Sequence, residues 1–267
     1  MIRFILPYSY CNTENNLNLI QANNYTNLFY GVEGNLAYCI LTGRANNNWN
    51  LEFMSYEDFY NNCLAYNEIS NNLTIIDFGN TLLESFDYED AFGEIVLKSL
   101  ANKSNFYFEV ADENFIDFLI QQYPKIQIIL HDNYTIFHSE EEISALVNKY
   151  PNNIKMIEIT ILNLCENLTD IPKIGILNLD SCFYCPQYPL CLKQEHQNIL
   201  RYRSYSQFNS CNKKKMVNLD SIIDNLKILL NCTDIILFSN IEEEHLNDYM
   251  ILMEKVLEKE REGGLEK

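Results

Sequence analysis

The amino-acid sequence predicts an α/β fold of the (β/α) TIM-like barrel type, complete or partial, formed by a single domain over residues 1–267. From residue 73 onward, short apolar segments alternate with segments of helical periodicity, which is typical of βα units with parallel strands. The apolar segments are almost continuous runs of Ile, Leu, Val and Phe, as expected of strands buried on both faces. Seven or eight such strands suit a closed or nearly closed barrel better than a doubly wound sheet.

The elements can be placed along the chain from their apolar pattern and their boundary residues. The predicted strands are residues 2–6, 36–41, 73–78, 105–110, 125–130, 153–159, 173–177 and 234–238. The predicted helices are one that begins at Ser55 and those within 84–101, 112–122, 139–149 and 241–260. Ser139 and Glu142 have the spacing of a capping box. The Asn-rich residues 11–30 are predicted to form a loop or one irregular helix.

The most distinctive motif is a cluster of cysteines that follows a late predicted strand. Cys182, Cys185 and Cys191 form a C-x2-C-x5-C pattern, and Cys211 follows later in the chain. Four clustered thiolates can hold a tetrahedral zinc ion or an iron–sulfur cluster. Because no apolar leader opens the chain, we expect a cytoplasmic, reducing location, where such cysteines favour metal over disulfides. Residues 178–218 are therefore predicted to be a metal-binding insertion within the barrel.

Two features favour a [4Fe–4S] cluster, and zinc stays open as the alternative. Cys185 is followed by Pro186, a step also found at a ligand cysteine of bacterial ferredoxins. Cys211 has no close cysteine partner, whereas structural zinc sites usually repeat a tight pair. Cys211 is nevertheless the favoured fourth ligand, because three lysines that follow it would stabilise its thiolate. His196 is the rival, and a His196 ligand would favour zinc.

The other cysteines stand alone in the sequence, and we do not expect them to be the principal ligands. They are Cys11, Cys39, Cys63, Cys165 and Cys232. A free cysteine usually behaves as a small buried hydrophobic residue.

The C-x2-C-x5-C segment with Pro186 resembles the auxiliary-cluster segment of radical-SAM enzymes of the SPASM type. Cysteines placed after a late barrel strand also resemble those of the iron–sulfur members of the peptidase U32 family. The resemblance covers residues 182–211, and both families use complete or partial TIM-like barrels. It implies an iron–sulfur enzyme that performs redox tailoring or hydroxylation of a peptide or a nucleobase. No C-x3-C-x2-C motif occurs, so the cluster that cleaves S-adenosylmethionine is not encoded in its usual form.

Polar residues at the carboxyl ends of the predicted strands are candidate catalytic groups, since a βα barrel carries its active site at that rim. Asp77, Glu109, His131 and Asp132 stand where three predicted strands end. Glu158 differs from them because it lies inside an apolar strand, where a carboxylate must face a polar lumen or be paired. These five residues form the predicted catalytic set.

Three arginines are candidate substrate-binding residues. Arg44 follows the predicted strand at 36–41, and Arg201 and Arg203 alternate with aromatic residues after the cysteine motif. Basic and aromatic side chains together can hold a phosphate, a nucleobase or a peptide carboxylate. We therefore expect a small-molecule or peptide substrate.

The charge of the chain restricts its partners. The formal net charge of −18 argues against general binding to DNA or to an anionic membrane. The same charge supports an alternative to the enzyme, namely a non-catalytic protein whose acidic and aromatic surface binds a protein partner. In that alternative the four cysteines would close a structural zinc site with no open coordination position.

Overall fold

The structure is a computed structural model that describes residues 3–6, 28–30, 57, 60, 61, 63, 64, 74–78, 91–178, 219–233, 235–239 and 251. Its strands are β1 (Arg3–Leu6), β2 (Leu28–Tyr30), β3 (Thr74–Phe78), β4 (Phe106–Val110), β5 (Gln127–Leu130), β6 (Ile154–Ile159), β7 (Lys173–Asn178) and β8 (Ile235–Ser239). Its helices are α1 (Ala91–Leu100), α2 (Glu113–Gln122), α3 (Asp132–Phe137), α4 (Glu140–Lys149) and α5 (Leu219–Leu230).

The eight strands form one parallel sheet in the order β2-β1-β8-β7-β6-β5-β4-β3. From β3 to β8, each strand pairs with the strand that follows it in the chain. Strand β8, the last in the chain, also pairs with β1, the first, and Phe4 lies opposite Ile236 in that pairing. This is the strand order of a TIM-like barrel. Strands β2 and β3 are the two edges, and the described residues contain no ladder between them. The fold is therefore an α/β, TIM-like barrel that is incomplete over the described residues.

Strands β4 to β7 are buried on both faces, because their side chains alternate between two apolar layers. The inner layer lies in the barrel lumen and includes Ile75, Ile129, Met156, Ile174 and Leu237. The outer layer lies between the sheet and the helices and includes Phe106, Phe108, Ile128, Leu130 and Ile157. On β5 the alternation is direct, since Ile128 and Leu130 belong to the outer layer while Ile129 belongs to the inner one. This arrangement explains why the strands are nearly continuous apolar runs in the sequence.

A bulge in β6 interrupts the alternation at one point. Ile128 pairs with Ile154, but the next residue, Ile129, pairs with Met156, so Lys155 is an extra residue on β6. Ile154 lies in the outer layer and Met156 in the inner layer, although regular alternation would put residues two apart on the same face. Glu158 therefore follows Met156 onto the lumen side of the sheet.

Most of the elements predicted between residues 73 and 177 are confirmed. The expected parallel pairing of β3 with β4 is present, with Ile75 opposite Tyr107. The predicted capping box at the start of α4 is also present: the hydroxyl of Ser139 accepts a hydrogen bond from the Glu142 amide, and the Glu142 carboxylate accepts one from the Ser139 amide. Asp112 caps α2, since its side chain accepts a hydrogen bond of 2.8 Å from the Phe115 amide.

Three elements differ from the sequence-based prediction. Strand β2 lies within residues 11–30, for which the sequence predicts a loop or an irregular helix. It is three residues long, too short for a period to be visible, and it forms by pairing with β1. The short helix α3 and the helix α5 were not predicted at all, although α5 has an amphipathic pattern.

Several predicted elements lie outside the described residues. They are the strand at 36–41, the cysteine-rich insertion over residues 178–218 apart from Asn178 at the end of β7, and the helix at 241–260 apart from Ile251, which is helical. Residues 57, 60, 61, 63 and 64 are helical, as expected of the helix predicted to begin near Ser55. In the part of the chain that is described, no helix combines the length and the apolar character needed to cross a bilayer.

Two of the cysteines that we expected to be buried are buried. Cys63 and Cys165 are buried free thiols, and Cys232 is a half-buried free thiol. Burial raises the pKa of the Cys165 thiol to about 11, with Glu140 adding to the rise and Lys173 opposing it. These thiols are therefore protonated near neutral pH.

Candidate metal centre

Three neighbouring strands bring two glutamates and a histidine together at one place in the barrel. Glu109 is the last residue but one of β4, His131 directly follows β5, and Glu158 is the last residue but one of β6. Because the strands are parallel and adjacent, these positions meet near the carboxyl-terminal rim. One potential ligand atom from each of the three residues lies within 4.8 Å of the other two.

The first turn of α3 fixes the positions of His131 and Glu158. The Asp132 amide donates a hydrogen bond of 2.7 Å to Oε2 of Glu158. The Asn133 amide donates one of 3.0 Å to Nδ1 of His131, so the imidazole acts as the N-cap of this helix. The Thr135 hydroxyl contributes from the same turn, since it donates a hydrogen bond of 2.8 Å to the carbonyl oxygen of Glu158.

The centre is buried and strongly acidic. Glu109 and Glu158 are each 1% exposed, and Asp132 is 7% exposed. The Asp132 carboxylate lies 2.8 Å from Nδ1 of His131, which in turn is 4.0 Å from Oε2 of Glu158. Oε1 of Glu158 is buried and accepts no hydrogen bond of normal geometry from the described residues.

Burial raises the pKa of the Glu158 carboxyl to about 7. His131 opposes this rise by its charge, Asp132 adds to it, and a side-chain interaction with Glu109 and the Asp132 amide both lower the pKa. Among the described residues, no lysine or arginine forms an ion pair with Asp132 or Glu158. A buried carboxylate without a cationic partner is very unfavourable, so this centre requires either a proton or a bound cation.

The donor set fits a divalent metal ion of the first transition row. Carboxylate oxygens suit Mg²⁺, Ca²⁺ and Mn²⁺, whereas imidazole nitrogen suits Zn²⁺, Fe²⁺ and related ions. A mixed set of two carboxylates and one imidazole therefore favours Mn²⁺, Fe²⁺ or Zn²⁺. Among the described residues, no donor reaches the buried Oε1 of Glu158, which leaves this oxygen available to a cation.

Of the five residues predicted to be catalytic, four lie together in this centre: Glu109, His131, Asp132 and Glu158. The backbone of Asp77 lies opposite that of Glu109 in the register of β3 and β4. The predicted substrate-binding residues Arg44, Arg201 and Arg203 lie outside the described residues. The same is true of the predicted cluster ligands Cys182, Cys185, Cys191 and Cys211, and of His196.

Sequence reasoning missed the residues that support the centre from α3. Thr135 is fully buried, and its backbone carbonyl accepts a hydrogen bond from the side-chain amide of Asn163, beyond β6. The sequence offered one signal for them, because a helical Thr often donates its hydroxyl to a carbonyl three or four residues earlier, here that of Asp132. That signal gives no indication that the hydroxyl reaches the backbone of β6.

A separate cleft of about 760 Å³ lies at the opposite, amino-terminal end of β7 and β8. Lys173, the first residue of β7, and Thr233, two residues before β8, line it together with Asn231 and Cys232. The Lys173 ammonium donates a hydrogen bond to the carbonyl oxygen of Cys165, which has a left-handed backbone conformation with φ of 47°. None of the predicted site residues lines this cleft.

No protein-family model matches the sequence. No curated protein matches it either. The resemblance to radical-SAM and U32 enzymes, which concerns residues 182–211, therefore stays a prediction.

Proposed function

We propose that this protein is a barrel enzyme that uses a divalent metal ion held by Glu109, His131 and Glu158. The observation that carries the proposal is the buried group of three potential ligands within 4.8 Å of one another, in which Oε1 of Glu158 has no hydrogen-bond donor among the described residues. The position of these three residues near the carboxyl-terminal rim supports an enzyme, since the active sites of βα barrels lie at that rim.

Burial and charge favour a metal ion over a purely structural role for these residues. Asp132 and Glu158 lie within one buried centre, and the described residues supply neither of them with an ion pair to lysine or arginine. A structural carboxylate in an apolar barrel would be expected to be fully hydrogen-bonded or paired. A dication would instead compensate the two ligand carboxylates.

A metal ion held there would polarise a substrate oxygen or lower the pKa of a bound water. Three protein ligands leave open coordination positions for that oxygen. Because Glu158 would bind the metal, the remaining carboxyl group of the centre among the described residues is that of Asp132, 2.8 Å from Nδ1 of His131, and this group would accept a proton from the bound oxygen. We therefore propose metal-assisted activation of water or of a substrate oxygen as the reaction class, with a small-molecule or peptide substrate.

The test is metal binding by chelator-treated protein, and Mn²⁺ is the appropriate probe. Mn²⁺ binds carboxylate and imidazole well but thiolate poorly, so the cysteines of the 178–218 segment contribute little to the signal. We expect one Mn²⁺ per chain by electron paramagnetic resonance, and loss of most of this binding in Glu158→Gln and His131→Ala. Glu141→Gln, which changes an exposed carboxylate on α4 in the same way, is the matched control. If the wild-type protein binds no Mn²⁺, or if both site variants bind it normally, the proposal is wrong.

The second candidate is the iron–sulfur enzyme predicted from the cysteine motif, with a [4Fe–4S] cluster on Cys182, Cys185, Cys191 and Cys211. The order of the strands favours it in one respect. Strand β7 is parallel to β6 and ends at Asn178, so the last described residue before the cysteine motif lies at the rim that carries Glu158. A cluster in that segment would then add redox chemistry to the same active site, with redox tailoring or hydroxylation as the reaction.

Anaerobic purification separates this candidate from its alternative, a structural zinc site in a non-catalytic protein with a protein partner. A brown protein with stoichiometric iron and sulfide, both lost in Cys185→Ser, would support the cluster. A colourless protein with one zinc ion per chain would favour the structural site. The Mn²⁺ measurement is independent of this result, because it concerns Glu109, His131 and Glu158 only.

A further inference from the structure

We infer that Thr135 is a positioning residue for the metal centre: its buried hydroxyl ties the first turn of α3 to β6 and so fixes His131 relative to Glu158. The inference rests on the proposed metal-binding function. It starts from two contacts of the Thr135 side chain, which is fully buried. The hydroxyl oxygen lies 2.8 Å from the carbonyl oxygen of Glu158 and 3.2 Å from that of Asp132.

A hydroxyl has one proton to donate, and the shorter contact, to the Glu158 carbonyl, is the principal hydrogen bond. The position of this carbonyl in the sheet explains why it needs a donor. The Ile157 amide donates to the carbonyl of Pro172, on the β7 side, so the backbone groups of the next residue, Glu158, point toward β5. Strand β5 ends at Leu130, and the Thr135 hydroxyl takes the place of a further β5 amide. This contact therefore joins α3 to β6 just where the ladder between β5 and β6 ends.

The same turn of α3 also holds the side chains of the two ligands. The Asp132 amide donates a hydrogen bond of 2.7 Å to Oε2 of Glu158, and His131 is the N-cap of the helix. Thr135 thus anchors, on the backbone of Glu158, the turn that begins at His131 and contacts the Glu158 carboxylate. Without the hydroxyl, α3 can shift relative to β6, and the distance between the two ligands changes with it.

A second contact attaches Thr135 to the residues that follow β6. The side-chain amide of Asn163 donates a hydrogen bond to the Thr135 carbonyl. The backbone of Asn163 is itself held by Thr160, through reciprocal amide-to-carbonyl hydrogen bonds of 3.1 Å and 3.2 Å. Asn163 is not one of the three potential ligands, so its replacement tests the same attachment from outside the centre.

Two substitutions of Thr135 separate its hydroxyl from its methyl group. Thr135→Val keeps the shape of the side chain and loses the hydrogen bond to Glu158. Thr135→Ser keeps the hydroxyl and loses a buried methyl group. If Thr135 positions the ligands, the metal affinity should follow the hydroxyl, whereas a side chain that merely fills space would be replaced better by valine.

The experiment compares Mn²⁺ binding by chelator-treated wild-type protein and its variants, each well below its unfolding temperature. Groups that hold metal ligands in place typically contribute about 10–100-fold to metal affinity, and we expect Thr135→Val to weaken Mn²⁺ binding by this factor. Thr135→Ser should retain most of the wild-type affinity, and Asn163→Ala should weaken it about 10-fold, at the lower end of that range.

Asn153→Ala is the control for a loss of stability alone. The buried Asn153 side chain donates hydrogen bonds to the carbonyls of Pro124 and Ile126, at the amino-terminal end of β5 and thus away from the rim that carries the centre. We expect this variant to be destabilised and to bind Mn²⁺ with the wild-type affinity.

Equal losses of affinity in Thr135→Val and Thr135→Ser would overturn the inference, and so would a loss in Asn153→Ala as large as that in Thr135→Val. If Thr135→Val does not fold, Asn163→Ala decides, and wild-type affinity in that variant overturns the inference. If wild-type protein binds Mn²⁺, Glu158→Gln does not, and Thr135→Val binds it like wild type, the inference fails while the proposed function stands. Absence of binding by the wild-type protein overturns both.

Discussion

The replacement Glu158→Gln should remove the proposed metal binding and yet make the metal-free protein more stable at alkaline pH. In the folded protein, burial raises the pKa of Glu158 from 4.5 to about 7. At pH 8 the folded chain must therefore hold an ionised carboxylate whose Oε1 has no hydrogen-bond donor among the described residues. A glutamine at this position is neutral, and its carbonyl can still accept the hydrogen bond from the Asp132 amide.

The sign and size of the effect follow from the pKa. A carboxyl group whose pKa is raised by folding binds more protons in the folded than in the unfolded state, so the free energy of unfolding falls as the pH rises. The fall begins near the unfolded pKa of 4.5 and is complete above the folded pKa of about 7. A rise of this size corresponds to about 3 kcal/mol in total, of which about 2 kcal/mol is lost between pH 5.5 and pH 8. The Glu158→Gln protein does not lose this free energy of unfolding, because glutamine does not ionise.

The assay is urea unfolding of both proteins in chelator and reductant at pH 5.5 and pH 8. The stability of Glu158→Gln relative to wild type should increase by about 2 kcal/mol between the two pH values. Glu141→Gln, an exposed replacement of the same kind, should show no such increase. A relative stability of Glu158→Gln that is independent of pH, or that falls as the pH rises, would refute the reasoning that ionisation of Glu158 opposes folding.

Three further substitutions test the packing that holds the centre in place, each measured by urea unfolding with Mn²⁺ affinity as a second readout. Gly175→Ala in β7 should destabilise the fold by about 1–3 kcal/mol, because a Cβ there would lie 2.9 Å from Cδ1 of Ile236 and 3.2 Å from Cβ of Leu229. Unchanged stability would mean that β8 and α5 can move apart freely. Asn153→Ala should lower stability by about 1–3 kcal/mol, because the buried Asn153 amide donates hydrogen bonds of 3.0 Å to the carbonyls of Pro124 and Ile126. A neutral result would indicate that water replaces both bonds. Ser139→Ala should lower stability by about 0.5–2 kcal/mol through loss of the N-cap of α4. Metal affinity should be unaffected in Ser139→Ala, since that helix end is exposed and contributes no residue to the centre.

The sequence by itself determined the βα rhythm of the chain, because the period of apolar residues reports burial directly. Strands β3 to β8 were predicted from runs such as that at 125–130, where both faces of the strand are apolar. The capping box at Ser139 was predicted because its chemistry is local, within four residues. Strand β2 was missed because its three residues gain their structure only from pairing with β1.

The membership of the candidate centre was predictable only in part. Glu109, His131 and Asp132 could be chosen because polar residues that end parallel strands share one rim. The sequence could not rank them against other strand-ending polar residues, since the distances among β4, β5 and β6 depend on the order of strands in the sheet.

Glu158 shows most clearly what only the tertiary structure decided. From the sequence, a carboxylate within Ile154–Ile159 could lie on either face of the sheet. Counting by twos from Ile154, which packs in the outer layer, would place Glu158 among the helices. The extra residue in β6 reverses the alternation, because Ile129 pairs with Met156 rather than with Lys155. A pairing shift of one residue, set by the neighbouring strand, thus turns the Glu158 carboxylate toward His131 and Glu109.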